Sequence, residues 1–186
     1  MTKIVTELNN DIKEEILKDN LIIFPTETVY GIGANALSEK AVNKIFEVKT
    51  RAKNNPLIVH LKDKSEIEKY AIISNQIEQK LIDTFMPGPF TIILKKKEII
   101  PSCVTANMDS VGIRIPIHQM AHEFLELVNV PIAAPSANIS SRPSGTKVDD
   151  IKDEFDSLVP YIIDNGEATI GLESTVVKVI DNIPTI

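Results

Sequence analysis

Two cations separated by one residue, Lys49 and Arg51, follow a helical apolar pattern that ends near Val48. A guanidinium offers a planar fork for paired oxygens, and an ammonium offers a movable point charge, so the two together can bind phosphate. The extended Asn55-Pro56 that follows is compatible with both side chains facing one cleft. Basic residues are also common in the last turn of a helix, where they favour the macrodipole. The pair alone therefore leaves both interpretations open.

A hydroxyl and an amide, Ser136 and Asn138, follow the short apolar run Pro131–Ala134 and the restricted backbone of Pro135. Both side chains can hydrogen-bond phosphate or ribose oxygens, and the adjoining backbone N–H groups can form an anion-binding concavity. The same residue types also form ordinary Asx and Ser turns. The pattern is therefore compatible with two interpretations, one half of a nucleotide-binding site or a simple turn.

The stretch Phe24–Ala36, FPTETVYGIGANA, follows the apolar run Leu21–Ile23. It is typical of a buried strand that stops at Pro25 and delivers polar side chains to its C-terminal end, where ligands collect in open α/β sheets. Gly31 and Gly33 allow the backbone to bend or to approach a ligand closely. A hydrophilic turn between two strands would explain the same residues.

Arg114 lies among the apolar neighbours of Gly112–Pro116, and an unpaired buried guanidinium is too costly. A substrate carboxylate is its natural partner, and an internal Asp or Glu is the structural alternative. His60 closes the apolar run that begins at Leu57, where a histidine is more often a core or edge residue than a ligand. A strand-end imidazole and the Thr28 hydroxyl can nevertheless hydrogen-bond a small zwitterion.

The spacing of apolar residues in the surrounding segments is that of helices in some and of strands in others. Because strands interleave with helices along the chain, the sequence predicts an α/β fold with a mixed, twisted sheet flanked by helices. The predicted helices are Asp11–Lys18, Ser38–Val48, Ser65–Tyr70, Ser74–Phe85 and His118–Val128. The predicted strands are Leu21–Phe24, Pro56–Leu61, Phe90–Leu94, Val111–Ile115, Pro131–Ala134, Tyr161–Ile163 and Val176–Ile180. The acidic run from Asp149 to Asp156 is helix-like and is interpreted as a solvated face. The end of the chain, Ile183–Ile186, is β-like.

Composition sets further limits on the class of protein. A chain of 186 residues is expected to form one domain, residues 1–186. A net charge of −6, nine aromatic residues (six Phe and three Tyr) and no Trp argue against a broad nucleic-acid-binding surface. One cysteine excludes an internal disulfide, and three scattered histidines predict no metal site. Without an apolar span or a leader, the protein is expected to be soluble and cytoplasmic, with no membrane association.

Six motifs in order resemble the YrdC/Sua5 family of threonylcarbamoyl-adenylate synthases, from about residue 8 to the end of the chain. They are Pro25–Gly31, Val48–His60, Met86–Thr91, Ser110–Pro116, Ala134–Asn138 and Glu173–Val176. One departure is Ala52, where the family often has Pro, and it suggests a looser loop. Family members commonly continue beyond a point such as Ile186. The sequence leaves open whether the chain is truncated there or naturally lacks a second domain.

The resemblance implies a YrdC-like fold with an open central ligand cleft and the synthesis of L-threonylcarbamoyl-AMP and pyrophosphate. The substrates would be L-threonine, bicarbonate or CO2, and ATP with Mg²⁺, and a separate transferase complex would pass the product to adenosine 37 of tRNA. The resemblance assigns catalysis to Lys49, Arg51, Ser136 and Asn138. It assigns ATP binding to these four and to Asn55, Ser110 and Ser144, with Gly145 beside the last. It assigns threonine binding to Thr28, His60, Arg114, Ala134 and Ser174.

Two other functions remain open at this point. The first is a double-stranded RNA-binding or ribosome-assembly module on the same fold, which would need a broad basic surface. The second is a carbamoyl-adenylate-forming domain that matures metal centres, which normally belongs to a longer chain with zinc-finger cysteines. Direct binding of tRNA, the oligomeric state and the source of CO2 are not indicated by the sequence.

Overall fold

Eleven strands form one mixed sheet in the computed structural model, which describes residues 1–186. In chain order the strands are β1 (Lys3–Val5), β2 (Ile22–Phe24), β3 (Gly31–Asn35), β4 (Ile58–His60), β5 (Ala71–Ile72), β6 (Phe90–Lys96), β7 (Ser110–Arg114), β8 (Ile132–Ala133), β9 (Tyr161–Ile163), β10 (Thr175–Ile180) and β11 (Ile183–Thr185). The helices are α1 (Asn10–Leu17), α2 (Glu39–Lys49), α3 (Ile67–Tyr70), α4 (Gln76–Phe85), α5 (Gln119–Val128) and α6 (Val148–Phe155).

Strands from distant parts of the chain are neighbours in this sheet, in the order β1-β9-β2-β3-β8-β4-β7-β6-β10-β11, with β5 paired to β6. The pairs β1–β9, β2–β9, β4–β7 and β6–β10 are parallel. The remaining pairs are antiparallel, and the short β8 runs antiparallel to both of its neighbours, β3 and β4. The middle of the sheet therefore combines β3 and β4 from the first half of the chain with β7 and β8 from the second half.

Two apolar layers cover the two faces of the sheet, and strand β2 shows how. Successive side chains of a strand point to opposite faces, so Ile22 packs into one core and Ile23 into the other. The smaller core is built by α1 and α5, with Phe24 on the same side as Ile22. The larger core is built by α2, α4 and α6. A sheet buried on both faces explains why most of its central strands are continuous apolar runs.

Polar caps set the starts of three predicted helices. The side chains of Asn9, Ser38 and Asn75 accept hydrogen bonds from backbone N–H groups in the first turns of α1, α2 and α4. Helix α2 ends at Lys49, because Thr50 adopts a left-handed conformation with φ of 52°. The chain therefore changes direction between the two cations of the Lys49-x-Arg51 motif.

The predicted elements are confirmed in type and approximate position, with differences at two helices and three additional strands. Ser65–Tyr70 is a short 3-10 turn followed by α3, and not one helix. Helix α4 turns Ile82 into the core and leaves Phe85 half exposed against Phe90. Helix α6 is more than a solvated acidic run, since Val148, Ile151 and Phe155 give it a buried face. Strands β1, β3 and β5 were not predicted. None of the helices is both long enough and apolar enough to span a membrane.

Replacement of Phe24 by Ala tests the packing beneath the polar loop that follows β2. Phe24 is fully buried, with its ring 4.9 Å from that of Phe124 and edge-on to His60. We expect the free energy of unfolding in urea to fall by about 3–5 kcal/mol. The control is Phe85→Ala, which removes the same side chain from a half-exposed site and should cost about 1–2 kcal/mol. Equal losses for the two variants would contradict the assigned packing.

Candidate functional site

An open cavity lies where β2, β4, β7 and β8 approach one another, with about 650 Å³ of empty space including its mouth. Concave sites of this kind, lined by apolar residues and a few polar groups, are where small molecules usually bind. The predicted open central cleft is confirmed. The cavity walls are formed by Thr26, Thr28, Val29, Tyr30, Gly31, Arg51, Pro56, Leu57, Ile58, His60, Arg114, Ala134, Pro135, Ser136, Glu173, Ser174 and Val176.

Most of the predicted site residues reach this one cavity. Seven of them form part of its wall, namely Thr28, Arg51, His60, Arg114, Ala134, Ser136 and Ser174. Four others are not part of the wall but are hydrogen-bonded to residues that form it, namely Lys49, Asn138, Asn55 and Ser144. Ser110 is the exception, because it begins β7 and Arg114 ends it, about 13 Å further along the strand. Its ATP-binding role stays a prediction.

Lys49 is a buried cation that holds the loop after β8. Its side chain is about 1% exposed, and its ammonium donates hydrogen bonds to the carbonyl oxygens of Ser136 and Asn138. No carboxylate forms an ion pair with it. Burial, with a smaller contribution from the charge of Arg51, lowers the pKa of Lys49 to about 8. An ammonium has three N–H donors, and these two bonds leave one of them unused.

The Ser136–Asn138 loop is closed by its own side chains. The Ser136 hydroxyl donates to Oδ1 of Asn138 at 2.6 Å, and Nδ2 of Asn138 donates to the carbonyls of Ile139 at 3.0 Å and Arg142 at 2.8 Å. The Asn138 amide is therefore engaged in loop structure, as the turn interpretation requires. Ser136 differs, since it also forms part of the cavity wall. A backbone bond from Ala137 to the carbonyl of Tyr30 ties the loop to the start of β3.

Arg51 forms part of the same cavity wall and is oriented by its own segment. Nε donates to the carbonyl of Asn55 at 3.2 Å, and Nη2 donates to the carbonyl of Pro56 at 3.0 Å. Asn55 thus contributes a backbone oxygen, and its side chain is exposed. Partial burial lowers the pKa of the guanidinium, which stays protonated at neutral pH. These loop contacts, rather than the end of α2, hold the Arg51 side chain.

The hydroxyls of Thr26 and Thr28, just after β2, are hydrogen-bonded to each other, and the direction of this bond follows from their other contacts. Thr26 donates its single hydroxyl proton to the carbonyl of Val29 at 2.7 Å. The 2.8 Å contact between the two hydroxyl oxygens must then use the proton of Thr28. The oxygen of Thr28, on the cavity wall, is left as an acceptor, which suits an ammonium or hydroxyl donor on a ligand.

His60 and Arg114 are neighbours because β4 and β7 are parallel and pair them in register. Burial, reinforced by the charge of Arg114, lowers the pKa of His60 to about 3, so the imidazole is neutral at physiological pH. Its Nδ1 is buried and has no hydrogen-bond partner in the chain. An unpaired buried nitrogen on a cavity wall is a favourable place for a ligand hydrogen bond.

Arg114 has an internal partner, which was the structural alternative. Its Nη2 donates to Oε1 of Glu27 at 2.7 Å, and both side chains are buried. Ser174 lies nearby, with its hydroxyl 2.8 Å from that of Thr91, the residue paired with Arg114 across β6 and β7. The predicted threonine-binding residues are therefore brought together, although the burial of Arg114 does not by itself require a substrate.

Three acidic residues of the site were not singled out from the sequence. Glu27 pairs with Arg114, and Glu173 on the cavity wall accepts a bond from Ser144 at 3.1 Å. Glu154 of α6 accepts bonds from the backbone of Ile139 and from the Arg142 side chain. The only signal for Glu27 and Glu173 was their place inside quoted motifs, and Glu154 gave none. No group of three or more His, Cys, Asp or Glu side chains could hold a metal ion.

Comparison with known proteins identifies the family. Residues 14–186 match the model of the Sua5/YciO/YrdC family, which is described as telomere recombination. The chain belongs to this family. It is 46% identical over 162 residues to the threonylcarbamoyl-AMP synthase of Pyrococcus abyssi, covering 87% of this chain and 48% of that protein. It is 47% identical over 171 residues to a putative threonylcarbamoyl-AMP synthase of Methanocaldococcus jannaschii, covering 92% of this chain and 80% of that one.

Solved structures agree with this assignment. The structure of P. abyssi Sua5 complexed with L-threonine superposes with a TM-score of 0.91 at 41% identity, covering 99% of this chain and 56% of that one. Escherichia coli YciO, at 22% identity, has a TM-score of 0.87 over all of this chain and 94% of that one, which supports the fold alone. The chain spans about half the length of the P. abyssi relative.

The lowered pKa of Lys49 predicts how stability depends on pH. The unfolded chain, with its lysine near 10.5, binds more protons than the folded one between about pH 8 and 10.5, so the Lys49 contribution to stability rises with pH. The measurement is the difference in unfolding free energy between the wild type and Lys49→Met. We expect it to shift in favour of the wild type by on the order of 2 kcal/mol from about pH 7 to pH 10. Parallel pH profiles would show that Lys49 titrates normally.

Proposed function

We propose that this Sua5/YciO/YrdC domain is an L-threonylcarbamoyladenylate synthase, a nucleotidyltransferase that forms L-threonylcarbamoyl-AMP and pyrophosphate. Its substrates are L-threonine, bicarbonate or CO2, and ATP. The observation that carries the proposal is a single cavity with a cationic and hydroxyl wall at Arg51 and Ser136, joined to a wall of small-molecule hydrogen-bonding groups at Thr28 and His60. The names of the relatives and the L-threonine bound to P. abyssi Sua5 support the choice of substrates.

The first chemical step is the formation of a carbamate on threonine. The amine nitrogen uses its lone pair to form a bond to the carbon of CO2, and one N–H proton leaves to solvent; bicarbonate as the source releases one water. The acceptor oxygen of Thr28 and the unpaired Nδ1 of His60 orient the substrate in this half of the cavity. Arg114 attracts the threonine carboxylate. Orientation of this kind is a large part of what a site contributes to a reaction between bound substrates.

The second step transfers the adenylyl group. A carbamate oxygen bonds to the α-phosphorus, the bond from that phosphorus to the bridging oxygen breaks, and pyrophosphate leaves with the electron pair. Arg51 and the free N–H donor of Lys49 stabilise the negative charge that builds up on the phosphates. The Ser136 hydroxyl gives its proton to Asn138, so its oxygen is left to accept a hydrogen bond from a ribose hydroxyl of the nucleotide.

Magnesium is expected to arrive with ATP. Mg²⁺ is usually held by one or two carboxylates together with substrate phosphates, and Glu173 is an exposed carboxylate on the cavity wall. This donor set fits an ion carried by the nucleotide rather than a resident ion. When bound there, the ion would neutralise phosphate charge and assist the departure of pyrophosphate.

The product would supply the threonylcarbamoyl group for adenosine 37 of tRNA, through a downstream transferase complex and in the cytoplasm. The competing proposal is a module that binds double-stranded RNA on the same fold. It is less well supported, since a net charge of −6 does not favour the basic surface that such binding needs. A domain that matures metal centres has no specific support in the site.

Substrate choice tests the amino-acid half of the cavity. We expect L-threonine to stimulate ATP-dependent release of pyrophosphate most strongly, with L-serine weaker and L-valine far behind. Valine has the shape of threonine without the hydroxyl, so site groups that pair with the hydroxyl lose their partner, at about 1–3 kcal/mol or roughly 5- to 150-fold. The assay measures pyrophosphate with bicarbonate and Mg²⁺ present. Equal turnover of valine would remove the case for hydroxyl recognition.

Melting temperature and salt dependence separate the synthase from the RNA module. ATP, Mg²⁺ and threonine should raise the melting temperature by mass action, whereas duplex RNA should bind weakly and with a steep salt dependence. Ser136→Ala should reduce the shift caused by ATP. The matched control is Ser140→Ala in the same loop, which removes a hydroxyl outside the cavity wall and should keep the full shift. A protein that showed no shift and bound duplex RNA tightly at ordinary salt would refute the synthase assignment.

A further inference from the structure

Glu27 is a buried carboxylate to which the proposed chemistry gives no role. It is 4% exposed and follows β2 in the polar loop, between the cavity residues Thr26 and Thr28. Its own side chain is not part of the cavity wall. A buried charge is costly unless it is paired, so its contacts within the protein should explain why it is there.

The contact of Glu27 with Arg114 uses one nitrogen of the guanidinium. Oε1 of Glu27 accepts from Nη2 of Arg114 at 2.7 Å, whereas Oε2 of Glu27 and Nε of Arg114, which are also buried, have no hydrogen-bond partner. Nη1 bonds to no protein atom and is not fully buried. Glu27 therefore holds the guanidinium at Nη2 and leaves Nη1 free. The free donors of Arg114 belong to the side chain that forms the cavity wall.

Glu27 is itself fixed by the segment that leads to Ser174. Its backbone carbonyl accepts a bond from the N–H of Ile170 at 2.9 Å and a longer one, 3.4 Å, from the Thr169 hydroxyl. The next carbonyl, that of Thr28, accepts from Gly171 at 2.9 Å. The carboxylate is thus anchored on a braced loop, and a braced carboxylate can set the direction of a long, flexible arginine side chain.

We propose that Glu27 is a positioning residue that aims the free donors of Arg114 at the carboxylate of the amino-acid substrate. Glu27 does not touch the substrate. It acts by holding the guanidinium at Nη2, so that a ligand carboxylate meets donors already in place, and it thereby sets the preference for amino acids over analogues that lack a carboxylate. This inference rests on the proposed function, since it takes threonine as the ligand of this half of the cavity.

The experiment compares the binding of L-threonine and L-threoninol, its carboxylate-free analogue, by calorimetry on the full chain without ATP. We expect the wild type to prefer threonine. Glu27→Gln keeps the size of the side chain and removes its charge, so threonine binding should weaken roughly 10-fold, with threoninol binding unchanged. The affinity for ATP, measured separately, should also be unchanged. A merely structural role would lower the melting temperature and leave the preference for threonine intact.

A double-variant cycle tests whether Glu27 acts through Arg114. Arg114→Gln should abolish the preference for threonine, and Glu27→Gln combined with Arg114→Gln should lose nothing further, because the two losses share one cause. The double variant also leaves no unpaired buried charge, which protects the fold. If Glu27→Gln alone does not fold, Glu27→Asp keeps the charge on a shorter side chain and should give a partial loss of preference.

The outcomes distinguish this inference from the proposed function. A folded Glu27→Gln or Glu27→Asp variant that keeps the wild-type preference overturns the positioning role and leaves the synthase assignment standing. Independent, additive losses in the cycle also overturn it. A wild type that binds neither compound, even with ATP present, refutes threonine as the substrate, and the role of Glu27 falls with it.

Discussion

The half of the cavity proposed to bind the nucleotide depends on how one buried ammonium is satisfied. Lys49 is almost completely buried without a carboxylate partner, so its charge must be met by other groups, and two backbone carbonyls of the loop after β8 meet it. This requirement draws the Ser136–Asn138 loop over the end of α2. Ser136 then lies on the cavity wall, and the amide of Asn138 closes the loop behind it. The cation proposed to bind phosphate is thus also what shapes the loop proposed to bind the nucleotide.

The amino-acid half depends instead on strand register. Parallel pairing of β4 with β7 sets His60 beside Arg114, and antiparallel pairing of β6 with β7 sets Thr91 on the other side of Arg114. Strand β10 then pairs with β6 from its first residue, which brings Ser174 within 2.8 Å of Thr91. Because a slip of one residue would turn these side chains to the opposite face, the apolar cores that fix the register also fix the site.

Local patterns in the sequence were sufficient for most helices and strands, because caps such as Ser38 and apolar periodicity act over a few residues. The sheet order was not accessible, since the pairing of β1 with β9 joins residues more than 150 positions apart. Within the site, the residue types of the two halves were recognised, yet the partner of Arg114 was left open between a ligand and an internal acid. Glu27 could be chosen only from coordinates, because a buried ion pair has no local signature.

The two halves of the cavity share a wall, and the proposed chemistry requires this. Residues 164–174 cross from β9 to β10 and are bonded on the way to Tyr30, Thr146 and Glu27, and then, through Glu173, to Ser144. The same segment therefore braces the loop that positions Arg114 and the loop that contains Ser144. A carbamate oxygen must come within about 3–3.5 Å of the α-phosphorus before it can attack. If the two walls were free to move independently, the distance between the two proposed substrates would vary; a segment bonded to both walls would keep that distance fixed.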